Sequence, residues 1–143
     1  MPTTARIVDL SADDGRHLLP LLQLGFDVRA VALDVEQITD RLAPHIASEE
    51  IASRIAAASP TETGFDSESA DWVILAGSDR QRAGTIAEAY RLLIAGGWLW
   101  IETESRDGLV EDAEATGFVV AEEPSRDASG SVRAVFRKPG GIA

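Results

Sequence analysis

Short apolar runs alternate along the chain with segments whose apolar residues recur at helical spacing. The runs cover residues 5–10, 26–33 and 72–76, followed by WLWIE, FVVAEE and SVRAVFRK. Apolar runs of this length, bounded by polar or glycine-containing segments, are typical of strands that are buried on both faces. Strands that alternate with helices predict an α/β domain with a largely parallel sheet, whose ligand would lie beyond the carboxyl ends of the strands.

Helical periodicity first occurs between residues 16 and 24, where three leucines share one face. Gly25 is expected to end this helix, and Pro20 is expected to distort its first turns or delay its start. The segment 35–58 is rich in alanine and glutamate and is mostly helical in propensity, with an interruption at Pro44. Its last part, SRIAAAS, fits either a helix or a weak strand.

The composition excludes several kinds of site. The 143 residues correspond to one domain, and the chain has no cysteine. Disulfides, iron–sulfur clusters and thiolate zinc sites are therefore excluded, and His17 and His45 are too few for an imidazole-based metal site. The carboxylates match no dedicated calcium loop. No metal site is predicted.

The net charge and the apolar pattern restrict the partners. The formal charge is −11, and the basic residues are spread along the chain. Bare nucleic acid and anionic membranes are therefore poor partners. No stretch reaches the roughly 20 apolar residues of a membrane helix, and MPTTAR lacks the start of a secretory signal. The sequence predicts a cytoplasmic protein.

Four stretches follow one another in an informative order: IVDLSADDGRHLLPLLQLGFDVRAVALD, GFDSESADWVIL, AEAYRLLIAGGWLWIE, and EDAEATGFVVAEE with SVRAVFRKP. In this order they resemble the class I S-adenosylmethionine-dependent methyltransferases. The matching parts of that family are the first strand–helix–strand unit, the fourth strand, the helix and glycine turn before the fifth strand, and the closing hairpin. The resemblance implies a three-layer Rossmann-like fold, with a seven-stranded, mostly parallel sheet whose last strand is antiparallel.

The resemblance also implies positions for S-adenosylmethionine, and the chain departs from the family at four of them. Ser11 and Asp13 stand at the first two glycine positions of the loop after the first strand, where only Gly15 is kept. Ala32 stands where a carboxylate normally takes both ribose hydroxyls. Ser59 stands where an acidic residue usually reaches the adenine amine.

Two further acidic residues complete the candidate cofactor contacts. Asp9 ends the first strand, and its position fits loop hydrogen bonding and ligand contact equally well. Asp34 lies two residues after Ala32 on the same strand face, and it replaces the missing carboxylate only if the loop shifts. If the cofactor binds, the residues expected to contact it are Asp9, Ser11, Asp13, Gly15 and Asp34.

The charge of the first loop opposes such binding. Asp13 and Asp14 can cap the helix that follows, which is where the methionine carboxylate of the cofactor would lie. A second anion within about 4 Å would meet a repulsion of about 1–4 kcal/mol. The loop is therefore expected to be stable without a ligand.

Few residues are candidates for catalysis. Methyl transfer mainly requires alignment and in some cases a base. The candidate bases are Asp79 and Ser78 after the fourth strand, and His17 at the first helix, for which an ordinary structural role is the main alternative. Trp98 and Trp100 are expected to serve core or interface packing in a strand covered on both faces. A solvated surface is expected for a set of acidic residues, Glu102, Glu104, Glu111, Asp112 and Glu114.

Three functions remain open, and the residues leave open whether the chain is an enzyme. The first is a methyltransferase-fold protein with an eroded cofactor site that acts as a non-catalytic partner or scaffold. The second is an active methyltransferase with an atypical cofactor loop, and the third is a binder of another small molecule at the same sheet edge. The chain is expected to be a single minimal domain, 1–143, without an N-terminal substrate lid, with a flexible tail, 139–143. A protein partner or a homo-oligomer is plausible because the sheet edges and helix faces stay free.

Overall fold

Seven strands and five helices alternate in the computed structural model, which describes residues 4–11, 17–77 and 82–140. The strands are β1 (Arg6–Asp9), β2 (Asp27–Ala32), β3 (Ile55–Ala57), β4 (Ala70–Gly77), β5 (Leu93–Thr103), β6 (Val119–Arg126) and β7 (Val132–Arg137). The helices are α1 (Leu18–Gln23), α2 (Val35–Leu42), α3 (Ser48–Arg54), α4 (Arg82–Leu92) and α5 (Leu109–Thr116). None of these described helices is long and apolar enough to cross a membrane.

The strands form a single sheet in the order β3-β2-β1-β4-β5-β7-β6. The pairs from β3 to β5 are parallel, and β7 is antiparallel to both of its neighbours. The predicted seven-stranded sheet with an antiparallel last strand is therefore confirmed. Because β1 to β5 run in the same direction, their carboxyl ends meet along one edge of the sheet.

Helices cover the two faces of the sheet and form two separate cores. On one face, α4 and α5 bury apolar residues such as Ile86, Leu99 and Phe136, each fully buried. On the other face, α1, α2 and α3 cover β1, β2 and β3 with residues such as Leu18 and Ile38. A fully buried side chain of this size stabilises the fold by about 1.5–3 kcal/mol, so packing alone supports the domain.

Local sequence features explain where the ambiguous elements begin and end. Pro20 is the third residue of α1, in the first turn, where the missing amide proton breaks no internal hydrogen bond. The segment SRIAAAS divides at Arg54, which ends α3, and the next three residues form β3, paired in parallel with β2. A helix and a weak strand are therefore both present in this segment.

The strand β5 differs from its prediction in two ways. It begins at Leu93, five residues before the predicted run WLWIE, and it continues through the glycine pair 96–97. Trp98 and Trp100 project from the face that α1 to α3 cover, but both stay partly exposed, and Trp98 belongs to neither core. The expectation that β5 is covered on both faces is therefore wrong for this part of the strand.

Candidate functional site

The carboxyl edge of the parallel strands brings several of the predicted cofactor residues to one end of the sheet. Asp9 and Ser11 lie at the end of β1, Asp34 follows β2, and Ser59 follows β3. These positions follow from three parallel neighbours in the sheet. Other predicted residues lie outside the described residues, namely Asp13, Asp14, Gly15, Ser78 and Asp79.

The end of β1 is held by a short chain of hydrogen bonds. Asp9 is fully buried, and its Oδ1 accepts hydrogen bonds from the backbone N–H and the hydroxyl of Ser11, both at 2.8 Å. The Ser11 Oγ in turn accepts a hydrogen bond from the Ala76 N–H at 2.9 Å. Ser11 therefore links the ends of β1 and β4, an interaction that a glycine at the same position does not make. Asp9 takes part in the loop hydrogen bonding that was one of its two predicted roles.

The end of β2 offers no carboxylate at the position that the family resemblance assigns to ribose binding. Ala32 is buried, with 2% of its surface exposed, and its side chain has no polar atom. Asp34 is the N-cap of α2, where its Oδ1 accepts a hydrogen bond from the Gln37 N–H at 3.0 Å. Between them, Leu33 is 74% exposed, which places an apolar side chain in solvent at this edge.

The residues after β3 form a turn of their own. The Ser59 and Thr61 hydroxyls are hydrogen bonded at 2.8 Å, and the Thr61 N–H donates to the Ser59 Oγ at 3.2 Å. Ser59 also forms an isolated antiparallel bridge with Glu62. The hydroxyl that would face an adenine amine is therefore used within its own turn.

A second polar cluster, which the sequence analysis missed, lies at the end of β5. The Glu102 side chain is only about 8% exposed, so the predicted solvated surface is wrong for this residue. Its Oε2 accepts a hydrogen bond from the Arg133 Nε on β7 at 3.1 Å. Its Oε1 lies 3.8 Å from the Nε2 of His17, whose ring meets the edge of Trp100 with centroids 5.3 Å apart. The only sequence signal was an acidic residue at the end of an apolar strand, the pattern that singled out Asp9.

The same cluster continues into the loop between β6 and β7. The Asp127 carboxylate lies 3.1 Å from the Arg133 Nε, so Arg133 is shared between two carboxylates. Hydrogen bonds from Ser129, together with the Ser131 amide and the Arg133 charge, lower the pKa of Asp127 below its usual value. Another of the acidic residues expected on the surface, Asp112, pairs with Arg82 at 3.4 Å.

The described part of the edge places an imidazole beside a carboxylate, but it gathers few ligand groups. Within residues 4–11, 17–77 and 82–140, no three histidine, aspartate or glutamate side chains come together as a metal site would require. The Nε2 of His17 is buried and makes no hydrogen bond to the described residues.

Comparisons with known proteins identify the fold. No family model matches the chain, and neither does any curated protein. A crystal structure of 1,6-didemethyltoxoflavin-N1-methyltransferase from Burkholderia thailandensis, with bound S-adenosylhomocysteine, is 19% identical, with a TM-score of 0.74 over 96% of this chain and 72% of that one. A TehB-like SAM-dependent methyltransferase from Corynebacterium glutamicum is 22% identical, with a TM-score of 0.74 over 96% and 82% of the two chains.

A third solved structure has the same fold but is described as a cyclase and not as a methyltransferase. The cyclase SpnF is 13% identical, with a TM-score of 0.76 over 96% of this chain and 76% of that one. The predicted resemblance to the class I methyltransferases is thus confirmed at the level of the fold. Because one of these neighbours is described as a cyclase, the fold alone does not fix the reaction.

Proposed function

We propose that this chain is a methyltransferase-fold protein whose S-adenosylmethionine site is eroded and which serves as a non-catalytic partner or scaffold. One observation carries the proposal: the polar side chains at the ends of β1, β2 and β3 already make hydrogen bonds within the protein. Ser11 bonds to β4, Asp34 caps α2, and Ser59 bonds within its turn. A nucleotide would have to break these bonds before it gained its own.

The missing ribose carboxylate has the largest calculable effect. A carboxylate that accepts two hydroxyl hydrogen bonds contributes about 1.5–3 kcal/mol for each, because the acceptor is charged. Ala32 contributes none of this, so the affinity for a nucleoside falls by at least about 100-fold. Asp34 lies two residues further along, where its Oδ1 already accepts a hydrogen bond from the amide of Gln37 and holds the start of α2.

The charge of the chain adds to this loss. The sequence places Asp13 and Asp14 where the cofactor carboxylate would lie, in a chain of net charge −11. Repulsion between anions about 4 Å apart raises the free energy of the complex by about 1–4 kcal/mol. We place this role in the cytoplasm, in line with the sequence prediction.

A second candidate is an active methyltransferase with an atypical cofactor loop. It is favoured by the position of His17, whose imidazole lies beside the buried carboxylate of Glu102 at the same end of the sheet. Solved neighbours of the same fold are described as binding S-adenosylhomocysteine. If S-adenosylmethionine binds here, it supplies an activated methyl group. His17 would then hold or accept a proton, and Glu102 would orient it.

Titration with S-adenosylmethionine and S-adenosylhomocysteine, followed by calorimetry and by thermal unfolding, separates the two candidates. A ligand at 100 times its dissociation constant would stabilise the fold by about 2.7 kcal/mol. The non-catalytic proposal expects neither heat nor a shift in melting temperature at millimolar ligand. Saturable binding by the unmodified chain would overturn it and favour the enzyme.

Variants test whether the proposed loss of these contacts is what prevents S-adenosylmethionine from binding. Ala32→Asp restores the ribose carboxylate, and Asp13→Asn removes one of the opposing charges. We expect the double variant to gain measurable binding. The matched control combines Ala32→Asp with Asp40→Asn, which removes the charge at an exposed residue of α2 instead of at the first loop. An equal gain in this control would mean that the position of the Asp13 charge does not limit binding.

A further inference from the structure

All three tryptophans of the chain lie on one face of the sheet. Trp72 on β4 pairs with Trp98 on β5, and their indole rings are stacked with centroids 5.7 Å apart and planes 19° from parallel. Trp100 is two residues further along β5, on the same face. Each is partly exposed, and Val119 on β6, in the row that contains Trp98, is 47% exposed. We call this surface the tryptophan face, defined by Trp72, Trp98, Trp100, Val119, Glu122, Arg133 and Arg137.

On this face of the sheet, the described helices cover the strands β1, β2 and β3 and leave most of the other strands uncovered. α1, α2 and α3 pack on β1, β2 and β3, and their core reaches as far as Trp72 and Trp100. α4 and α5 pack on the opposite face of the sheet. Among the described residues, only the side chains of the tryptophan face itself cover it beyond Trp100. Partly exposed aromatic residues grouped on one face are typical of an interaction site.

Arginines lie directly over the exposed indoles. The guanidinium carbon of Arg137 is 5.5 Å from the centre of the Trp98 ring, and that of Arg133 is 5.7 Å from the centre of the Trp100 ring. Arg133 is shared by the Glu102 and Asp127 carboxylates. Among the described residues Arg137 makes no ion pair, so this cation is available to an anion on a partner.

An anion of the matching kind lies on the same face. Glu122 on β6 pairs with Val135 on β7, two residues before Arg137, and it lines a depression of about 520 Å³ together with Trp100 and Arg133. Within the described part of the chain Glu122 is exposed and makes no ion pair. The tryptophan face therefore carries an available cation, Arg137, and an available anion, Glu122. The indole rings lie on the same face. A surface with both charges can be complementary to itself.

We propose that the tryptophan face binds a second copy of this chain in a symmetric dimer, with each Arg137 opposite the Glu122 of the other copy. A two-fold axis parallel to the sheet and passing between Arg137 and Glu122 brings these two contacts together at once, because an isologous interface repeats every contact twice. The indoles, together with the arginines that lie over them, are then covered by the other copy. This inference goes beyond the proposed function and does not depend on whether S-adenosylmethionine binds.

The size of the face sets the expected affinity. Four strands about 4.8 Å apart, with side chains on three rows, give a patch about 20 Å across. Such a patch is smaller than the roughly 800 Å² per partner of a standard interface, so we expect association in the micromolar range. The net charge of −11 on each copy also opposes close approach.

Sedimentation equilibrium and tryptophan fluorescence of the full chain test the proposal. We expect a monomer–dimer equilibrium and an emission maximum that moves to longer wavelength on dilution, because every tryptophan lies on the face. Val119→Asp should abolish the dimer, since it places a carboxylate beside its cross-strand partner Arg137, where it competes with the Glu122 of the other copy. The control Leu33→Asp changes a side chain that is 74% exposed at the end of β2, away from the tryptophan face, and should leave the dimer intact. A chain that stays monomeric at several hundred micromolar would overturn the proposal.

A charge exchange distinguishes a second copy from any other arrangement. Arg137→Glu alone should weaken dimerisation by about tenfold or more, because it places two carboxylates opposite each other. The double variant Arg137→Glu with Glu122→Arg should restore most of the affinity. Circular dichroism and thermal unfolding show whether each variant is folded. A dimer that neither Val119→Asp nor Arg137→Glu weakens, or a double variant that is not restored, would contradict this interface.

Discussion

Glu88 in α4 joins this helix to the loop after β3 through hydrogen bonds. The protonation of its carboxylate should therefore change the free energy of unfolding with pH. The Glu88 side chain is 7% exposed. The Oε2 accepts hydrogen bonds from the Thr63 amide at 2.9 Å and from the Thr63 hydroxyl at 2.6 Å, and Arg91 donates to both carboxylate oxygens at 2.7 Å. The hydrogen bonds from Arg91, followed by those from Thr63, lower the pKa of Glu88 from 4.5 to about 2, against the opposing effect of burial.

The direction of the pH dependence follows from this lowered pKa. The folded state holds the carboxylate ionised more strongly than the unfolded state does, so the stabilisation is fully present above about pH 4.5 and is lost as the pH falls towards about 2. A pKa unit corresponds to about 1.4 kcal/mol, so the lowering from 4.5 to about 2 gives an upper limit of about 3.5 kcal/mol. The Arg91 side chain is 38% exposed, and solvent screening there reduces the expected value to about 2 kcal/mol.

Urea unfolding of the wild type and of Glu88→Gln at several pH values measures this contribution. At neutral pH we expect the variant to be less stable by about 2 kcal/mol, or by about 6 °C in melting temperature. The difference should shrink steadily below about pH 4.5. Glu114→Gln, at an exposed position of α5, is the control and should change stability little at any pH. A gap between wild type and Glu88→Gln that is the same near pH 3 as at neutrality would refute the reasoning.

Three further substitutions test single contacts by thermal and urea unfolding. Gly117→Ala should destabilise the fold by about 2 kcal/mol or more, because φ is +123° and the added Cβ would lie 2.9 Å from the hydroxyl of Tyr90. Gly25→Ala should cost only about 1 kcal/mol, because its φ of +87° is strained but nothing lies within 4 Å; equal costs would contradict the role of Tyr90. Ser11→Ala should cost about 1–3 kcal/mol, because it leaves the Ala76 N–H without its acceptor; an unchanged midpoint would show that this bond is dispensable.

The strands and helices with strong local signals could be predicted from the sequence. Apolar runs gave β1, β2 and β4 to within two residues at their ends. The continuation of β5 through the glycine pair could not be foreseen, because two adjacent glycines normally indicate a turn. Here Ala70 of β4 pairs with Leu93 and Trp72 with Trp98, so the glycines lie within an irregularity of the pairing. The hydrogen bonding of β5 to β4, which the local sequence does not reveal, therefore determines the conformation of the glycine pair.

The burial of Glu102 shows a similar limit at the candidate site. Its neighbours in sequence include other acidic residues, and local composition predicts a solvated surface. The structure places it against Arg133, which is 31 residues away on the antiparallel β7, and beside His17 at the start of α1. A buried carboxylate requires such partners, and they come from elements that only the sheet order brings together.

The separation between core and edge explains how this fold can exist with or without a cofactor. The fully buried residues, such as Leu99 and Ile38, lie beneath the helices on the two faces of the sheet, whereas the positions that depart from the family lie where the strands end. At that edge Ser11 joins β1 to β4 through its own hydroxyl, so the two strands are held together without a ligand. Substitutions at this edge therefore leave both cores intact. The fold thus establishes the architecture, while the ligand must be decided by the residues at the edge.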